Sequence, residues 1–166
     1  DVELINRHLS KLLRNQLNMF EHFFDKDLFL HLSGDITKED VIKTMYEKAH
    51  DKGIVDERFI DSVLQREEIG DTNMNEVFAL PHPMELCATD TKVVVALLDT
   101  PIKWNESNSI QIVFMLVIKQ GEMQDFEHLY DIFIEIINDN KLEQKSIDSR
   151  TYDEFINVLY DGISIE

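Results

Sequence analysis

The sequence predicts an α/β fold, in which a mixed, partly parallel β-sheet is sandwiched between helices. Two observations lead to this prediction. Continuous apolar runs at residues 92–98 and 110–118 have the length and composition of strands buried on both faces. Segments with the helical spacing of apolar residues alternate with strand-like segments along the chain, and this alternation is typical of helices packed on a sheet.

The composition is that of one globular domain with an acidic surface. Of the 166 residues, 43% are hydrophobic, which suits a single core of ordinary size. Lys and Arg total 16 against 33 Asp and Glu, so the formal net charge is −17. Phosphate backbones are repelled by such a charge, and we therefore expect no direct nucleic-acid contact by this domain.

Cysteine usage and hydropathy predict the compartment. The single cysteine, Cys87, excludes an internal disulfide framework, suits a reducing cytoplasm and is expected to be a small buried hydrophobe. The sequence has no apolar run long enough for a membrane span and no signal-peptide pattern at its start. We expect a cytoplasmic protein without membrane insertion. Because the chain begins with Asp rather than Met, we also expect it to be part of a longer one.

Residues 1–21 are predicted to form an amphipathic helix that precedes a domain covering residues 22–166. Apolar residues recur at helical spacing in this segment. They are Leu4, Ile5, Leu9, Leu12, Leu13, Leu17 and Phe20. Basic residues at 7, 11 and 14 follow on another face. Three roles stay open for this helix, namely packing on its own domain, connecting to a preceding module, or forming a homodimer contact.

Three elements are predicted in the first half of the domain. Residues 28–32 alternate in polarity as a first strand. Thr37 begins a helix with a partial capping box, and this helix ends near Gly53. Asp56 is the predicted N-cap of the next helix, which ends at Arg66.

The second half contains the two buried strands and further helices. An Asp-Thr-Pro sequence at residues 99–101 is predicted to end the first buried strand, and Trp104 is expected at the rim of the loop that follows. A helix carries the apolar residues from Phe126 onward. Residues 142–147 are predicted to form a short edge strand, and Thr151 begins the last helix with a full capping box.

The stretch from Arg66 to Pro83, REEIGDTNMNEVFALPHP, is the most informative part of the sequence. Pro81 and Pro83 each fix their own φ and push the preceding residue toward extended geometry. His82 is therefore presented at the end of a short apolar strand and has little conformational freedom. A histidine in this position is either a structural residue of a Pro-rich turn or a residue with a chemical role.

This stretch resembles the active-site segment of the enzyme IIA domains of the bacterial sugar phosphotransferase system (PTS), fructose and mannitol class. In that family an Arg-Glu-x-x-x-x-Thr run precedes an Ala-apolar-Pro-His strand end. Arg66, Glu67 and Thr72 match the first part, and residues 79–82 match the second. Residues 73–75, Asn-Met-Asn, stand where the family usually has Gly-x-Gly. Asn tolerates a left-handed φ better than most residues, so we expect the turn to survive, although its backbone cannot approach a phosphate as closely as that of Gly.

The resemblance implies roles for four residues. His82 would accept a phosphoryl group, Arg66 would stabilise the charge on that group, and Thr72 would supply a hydroxyl. His128, in the first turn of the helix after the second buried strand, matches the position of the family's second active-site histidine. Judged without the resemblance, Arg66 is a cation at a helix C-terminus and His128 is a helix-surface residue.

The resemblance also implies partners, and three functions stay open. The partners would be PTS phosphoproteins, namely the histidine-containing phosphocarrier protein or enzyme IIB. ATP is not the expected donor because no nucleotide-binding loop is present, and no cofactor or metal is expected. The first function is the regulatory module of a sugar-operon activator or antiterminator, linked to other domains. The second is a transport enzyme IIA that passes the group to enzyme IIB. The third is a metal-dependent hydrolase using His82, His128 and a carboxylate, although the local His pairs typical of metal sites are absent.

Overall fold

The structure is a computed structural model that describes the backbone of residues 1–163. Side chains are described throughout this range except at residues 10, 13–20, 123, 125, 126, 128, 132 and 163.

In the described part of the chain, four strands form one mixed sheet. They are β1 (Phe29–Leu32), β2 (Phe78–Ala79), β3 (Lys92–Lys103) and β4 (Ser109–Val117). Their order across the sheet is β1-β3-β4-β2. β1 pairs with β3 and β2 pairs with β4 in parallel, whereas β3 and β4 are antiparallel. The predicted mixed, partly parallel sheet is confirmed.

Helices cover both faces of this sheet. They are α1 (Val2–Glu21), α2 (Lys38–Asp51), α3 (Glu57–Ile69), α4 (Met123–Asn138), α5 (Asn140–Asp148) and α6 (Tyr152–Ile163). Alternate residues of β3 enter two separate hydrophobic cores, one formed with α4, α5 and α6 and the other with α2 and α3. Because both faces are covered, β3 reads as a continuous apolar run rather than an alternating one. The predicted sandwich of helices around a sheet is confirmed.

Capping signals fix the helices that lead to the motif. Thr37 and Asp40 form a complete capping box, in which each backbone N–H donates to the other residue's side chain at 3.1 Å. Asp56 caps α3 by accepting a hydrogen bond from the N–H of Arg58 at 3.0 Å. Both predicted helix starts are confirmed, and α3 carries Arg66 in its last turn.

The predicted edge strand at residues 142–147 is wrong, because these residues belong to α5. Asp139 caps this helix by accepting hydrogen bonds from the N–H groups of Lys141 and Leu142 at 3.0 and 3.1 Å. Leu142 and Ser146, four residues apart, are the buried face of α5. A short segment with few apolar residues fits both the helical and the strand periodicity. The N-cap at Asp139 stabilises the helix.

Two further boundaries differ from the predictions. β3 does not end at residues 99–101 but continues to Lys103. Its register with β4 is irregular between Leu97 and Ile102, and the exposed Pro101 lies in this irregular part. Proline is tolerated at such bulges because no ladder hydrogen bond is required of it there. The capping box at Thr151 is partial. Thr151 accepts from the N–H of Glu154 at 3.2 Å, but the Glu154 carboxylate accepts from the N–H of Arg150 at 2.8 Å, one residue earlier than predicted.

The predicted N-terminal helix is confirmed as α1. It contacts α6, where the Tyr160 hydroxyl donates a hydrogen bond to Glu21 at the end of α1. Apolar side chains in its first half are exposed, namely Val2, Leu4, Ile5, Leu9 and Leu12. Packing on the domain therefore accounts for one end of α1, and its possible roles as connector or dimer contact stay predictions. None of the described helices has the length and hydrophobicity that a membrane span requires.

Candidate phosphoacceptor site

His82 follows β2 directly and is half-buried between two buried prolines. Its ring atom Nδ1 lies 2.9 Å from the carbonyl oxygen of Leu80. A carbonyl oxygen can only accept, so this contact assigns the proton to Nδ1 and leaves the lone pair on Nε2. The imidazole is thereby held as the tautomer whose Nε2 is the nucleophilic atom.

Hydrogen bonds fix the backbone on both sides of His82. On one side, the N–H of Leu116 in β4 donates to the carbonyl of Pro81 at 2.9 Å. On the other side, the N–H of Met84 donates to the hydroxyl of Ser62 in α3 at 2.8 Å. The segment therefore adds little freedom to the ring, as the two prolines predict.

A pocket of about 190 Å³ opens beside His82. It is lined by Arg66, Asp71, Thr72, Asn73, Met74, Leu80, His82, Leu116 and Tyr130. Three of the four residues singled out in the sequence, Arg66, Thr72 and His82, thus meet around one cavity.

Arg66 joins the end of α3 to the pocket wall. Its Nη1 donates to the carbonyl of Gly70 at 2.6 Å, which is the helix-terminal role expected of a cation at this position. This contact uses one N–H of the guanidinium, whose fork of donors also suits two oxygens of a phosphoryl group. The structural role and the proposed chemical role of Arg66 are therefore compatible.

Thr72 is buried and makes its side-chain contact away from the pocket. Its hydroxyl donates to Oε1 of Glu67, and its backbone N–H donates to Oε2 of the same carboxylate at 3.4 Å. The hydroxyl proton is consequently committed to Glu67. Thr72 lines the pocket, but its hydroxyl donates its hydrogen bond to Glu67. Phosphate binding by this hydroxyl stays a prediction.

The turn at residues 73–75 is built differently from the expectation. No described residue other than glycine has a positive φ, so this turn does not use the left-handed conformation that Asn tolerates. Side-chain amides replace that backbone geometry. Oδ1 of Asn75 accepts from the N–H groups of Val77 and Phe78 at 2.8 and 2.7 Å, and Nδ2 of Asn73 donates to the carbonyl of Asn75 at 3.2 Å.

Lys38, at the start of α2, contacts this motif from another part of the chain. Its Nζ lies 2.9 Å from Oε2 of Glu67, 3.1 Å from Oδ1 of Asp71 and 4.8 Å from the ring centroid of Trp104. Burial alone would lower the pKa of Lys38, but its hydrogen bonds to Glu67 and Asp71 outweigh burial and hold that pKa above its usual value. The same ammonium group lowers the pKa of Asp71. Trp104, expected at a loop rim, is buried under this cation.

The fourth candidate, His128, lies in α4, and its side chain is outside the described residues. Because α4 begins at Met123, His128 belongs to the second turn of the helix rather than the first. Tyr130 of the same helix lines the pocket and was not predicted as a site residue. A lone tyrosine in an amphipathic helix has no motif signal, and only the packing of α4 on the sheet brings it to the pocket.

Two further expectations concern cysteine and metal ligands. Cys87 is half-buried rather than fully buried, and desolvation raises the pKa of its thiol. Within the described part of the chain, no group of three or more His, Cys, Asp or Glu side chains is placed to hold a metal ion.

Known sequences resemble the chain over most of its length. It is 27% identical over 150 residues to the "Probable licABCH operon regulator" of Bacillus subtilis (strain 168), a match that covers 90% of the chain but only 23% of the regulator. It is also 27% identical over 92 residues to the mannitol-specific phosphotransferase enzyme IIA component of the same organism, covering 54% of the chain and 64% of that protein. The chain thus corresponds to less than a quarter of the regulator's length.

Solved structures share the fold. Enzyme IIAMTL from Escherichia coli, solved in complex with phosphorylated enzyme IIBMTL, superposes with a TM-score of 0.71 at 18% identity, covering 83% of this chain and 99% of the other. At that identity the likeness concerns the fold, and it confirms the predicted enzyme IIA-type architecture. A family model described as "Phosphoenolpyruvate-dependent sugar phosphotransferase system, EIIA 2" matches residues 22–162. The match covers most of the chain, which therefore belongs to the EIIA 2 family of the phosphoenolpyruvate-dependent sugar phosphotransferase system.

Proposed function

We propose that this domain accepts a phosphoryl group on Nε2 of His82 from a PTS phosphoprotein. The observation that carries the proposal is the 2.9 Å contact between Nδ1 of His82 and the carbonyl of Leu80, beside a pocket that also contains Arg66. That contact keeps the proton on Nδ1, so the attacking lone pair lies on Nε2.

The transfer balances without a cofactor. The lone pair of Nε2 forms a bond to phosphorus while the bond between phosphorus and the donor's phosphorylated side chain breaks, and the donor keeps that electron pair. The proton on Nδ1 of His82 stays on that nitrogen throughout, hydrogen-bonded to the Leu80 carbonyl. A phosphorus–nitrogen bond retains a high transfer potential, so the group can move onward, whereas a serine ester would hold it more firmly.

Arg66 supplies charge stabilisation in this proposal. Negative charge spreads over the oxygens of the transferring group, and fixed donors that point at those oxygens lower the barrier. Arg66 is held in advance by Gly70, so little reorganisation is needed when the group arrives. We assign His128 a second contact to the phosphoryl group. This assignment is supported by the motif resemblance.

A regulatory role is the favoured biological setting. The match to the licABCH operon regulator extends over 90% of the chain, against 54% for the mannitol enzyme IIA. Phosphorylation of His82 would then be a signal to other modules of a larger cytoplasmic regulator. The donor would be the histidine-containing phosphocarrier protein or an enzyme IIB. With a net charge of −17, the domain suits a donor that is basic around its own phosphorylated site.

Transport is the second candidate, favoured by the match to the mannitol-specific enzyme IIA component. The two settings share the acceptor histidine and differ in the fate of the group. A transport component passes it to an enzyme IIB at a rate that supports sugar uptake, and a regulatory module keeps it long enough to change the state of its neighbours. Release to purified enzyme IIB, followed in time, separates the two.

The test of the acceptor is the intact mass of the protein after incubation with phosphoenolpyruvate and the general PTS phosphorelay proteins. We expect one added phosphoryl group, labile in acid and stable in base. His82→Ala should abolish it, whereas His50→Ala, at an exposed histidine whose contact is Glu57 at 3.6 Å, should leave it unchanged. Equal labelling of His82→Ala and the parent would refute the proposal.

A further inference from the structure

One carboxylate lines the candidate pocket and a second lies behind its wall. Asp71 lines the pocket itself. Glu67 lies one contact behind it, with a side chain only 6% exposed, and accepts two hydrogen bonds from Thr72. A phosphoryl group brings further negative charge to the same place. Carboxylates without a cation partner would oppose its arrival, and a buried one would also be costly to the fold.

Lys38 supplies the cation for both carboxylates. Its ammonium group bridges Glu67 and Asp71 at 2.9 and 3.1 Å, and its side chain is 14% exposed. The face of Trp104 lies 4.8 Å from the same ammonium, which favours the charged state through the ring's electron density. Asn105 holds the other oxygen of Asp71 through Nδ2 at 3.1 Å. The Asp71 carboxylate is thereby tied to α2 and to the β3–β4 loop.

A continuous series of polar contacts connects Lys38 to the acceptor ring. The Glu67 carboxylate, bound by Lys38, accepts hydrogen bonds from the hydroxyl and the backbone N–H of Thr72. The carbonyl of Thr72 accepts from the N–H of Leu80 at 3.0 Å. The carbonyl of Leu80 in turn lies 2.9 Å from Nδ1 of His82. The group that fixes the tautomer of His82 is thus the last member of a series that begins at Lys38.

We propose that Lys38 is a positioning residue of the phosphoacceptor site. Its single positive charge offsets one of the two negative charges of Glu67 and Asp71, and through Thr72 and Leu80 it keeps the ring of His82 in its reactive orientation. Lys38 itself is not one of the residues described as lining the pocket, so it acts through its partners. The inference rests on the proposed acceptance of a phosphoryl group by His82.

The test compares single-turnover rates of phosphoryl uptake on His82. Lys38→Met removes the charge and keeps an apolar side chain of similar length, and we expect the rate to fall on the order of tenfold, as for other residues coupled through one polar network. In Lys38→Met/Asp71→Asn the net charge of the group returns to that of the parent, because one positive and one negative charge are removed together, and most of the lost rate should return. Asp71→Asn alone removes a negative charge from the pocket wall and leaves Lys38 paired with Glu67, so it should not slow uptake.

Lys52 provides a matched control at the other end of α2. Its Nζ also lies between two carboxylates, Asp25 at 2.5 Å and Asp27 at 3.4 Å, but neither of them lines the pocket. Lys52→Met makes the same chemical change, so it should leave the uptake rate at the parent value. An equal loss in Lys38→Met and Lys52→Met would overturn the inference, because the effect would then be one of general stability.

Nuclear magnetic resonance of the His82 ring gives a readout that does not require transfer. In the parent we expect the tautomer protonated at Nδ1, and in Lys38→Met a measurable shift of its Nδ1–H signal. If the parent takes up no phosphoryl group, the proposed function fails, and the ring signal still tests the positioning role. An unchanged ring signal in Lys38→Met, or a parent-like uptake rate, would overturn it.

Circular dichroism decides whether Lys38→Met is folded. If it is unfolded, the uptake rates of Lys38→Arg and Lys38→Met/Asp71→Asn are compared with the parent rate. Neither of these variants has an Asp71 carboxylate without a cation partner. Each is expected within about threefold of the parent rate. A tenfold loss in both would contradict the role assigned to charge neutralisation.

Discussion

The candidate pocket has two walls that are built in different ways. One wall is a single run of sequence from Arg66 to His82, held by hydrogen bonds among polar side chains and backbone groups. The other consists of Leu116 from β4 and Tyr130 from α4, held by packing on the hydrophobic core. The polar wall contains the groups proposed to do the chemistry, and the apolar wall depends on how a distant helix packs. Stability and reactivity should therefore respond separately to changes in the two walls.

Aromatic packing secures the apolar wall. Phe133 of α4 is fully buried, and its ring centroid lies 4.8 Å from that of Phe114 in β4 and 6.2 Å from that of Phe78 in β2. Phe78 and Phe114 meet edge to face at 4.8 Å. These rings join α4 to the two strands beside the pocket, so the position of Tyr130 follows from the core.

The largest effect is expected from Phe133→Ala. Removing a fully buried aromatic ring typically destabilises a core by about 3–5 kcal/mol, and the free energy of unfolding should fall by that amount. Urea denaturation measures it. The control is Leu4→Ala, at a side chain that is 62% exposed, which should change stability by less than about 0.5 kcal/mol. If Phe133→Ala is as stable as the parent, α4 is not secured by this core and the comparison of the walls fails.

Arg66→Ala should slow phosphoryl transfer and leave the stability of the fold nearly unchanged. Losing one fixed donor to developing charge costs about 10²–10³-fold in rate, so single-turnover uptake on His82 should slow by that factor. The urea midpoint should move little, because the guanidinium of Arg66 is half-buried and its hydrogen bond is made to the exposed residue Gly70 at the end of the helix. Arg58→Ala, at the exposed start of the same helix, should transfer at the parent rate. Parent-like transfer by Arg66→Ala would return Arg66 to the role of a helix-terminal cation.

Asn75→Ala should have an intermediate effect within the polar wall. Oδ1 of Asn75 accepts from two backbone N–H groups, which the change leaves without that partner, and such a loss costs about 1–3 kcal/mol. Differential scanning calorimetry should show a lowered Tm. Asn157→Ala, on the exposed face of α6, should leave the Tm near the parent value. An unchanged Tm in Asn75→Ala would mean that the turn does not depend on the side chain that stands where the family has glycine.

The two walls also differ in how far sequence predicts them. The polar wall was predictable because its signals are local. Asp56 caps α3, two prolines present His82, and the Arg-Glu-Thr motif needs only short-range geometry to meet around one pocket. The exception is the turn at residues 73–75. Hydrogen bonds from side-chain amides close this turn, and its backbone does not adopt a left-handed conformation. Residue type indicated a turn there, but it did not determine which groups would close it.

Long-range placement was beyond the sequence. Lys38 precedes Asp71 by 33 residues, and their contact exists only because α2 packs beside the end of α3. Tyr130 reaches the pocket through the packing of α4. The segment at residues 142–147 illustrates the same limit at short range. Its few apolar residues fit a strand or a helix, and the cap at Asp139 decided between them.

His128 gives the smallest expected effect and tests the apolar wall most directly. A phosphoryl group on His82 adds about two negative charges at the pocket. If His128 faces the same pocket, its protonated ring is favoured by that charge, and its pKa should rise on phosphorylation. If it lies elsewhere, screening over a Debye length of about 8 Å at physiological salt leaves its titration unchanged.

The measurement is a titration of the histidine ring signals by nuclear magnetic resonance, with and without phosphorylation of His82. His128→Ala assigns the signal, and His50, at the exposed end of α2, serves as the internal control that should not move. A raised pKa for His128 alone would mean that α4 contributes charge recognition as well as packing. An unchanged pKa of His128 would mean that Arg66 and the rest of the polar wall bind the phosphoryl group. The apolar wall would then contribute packing alone.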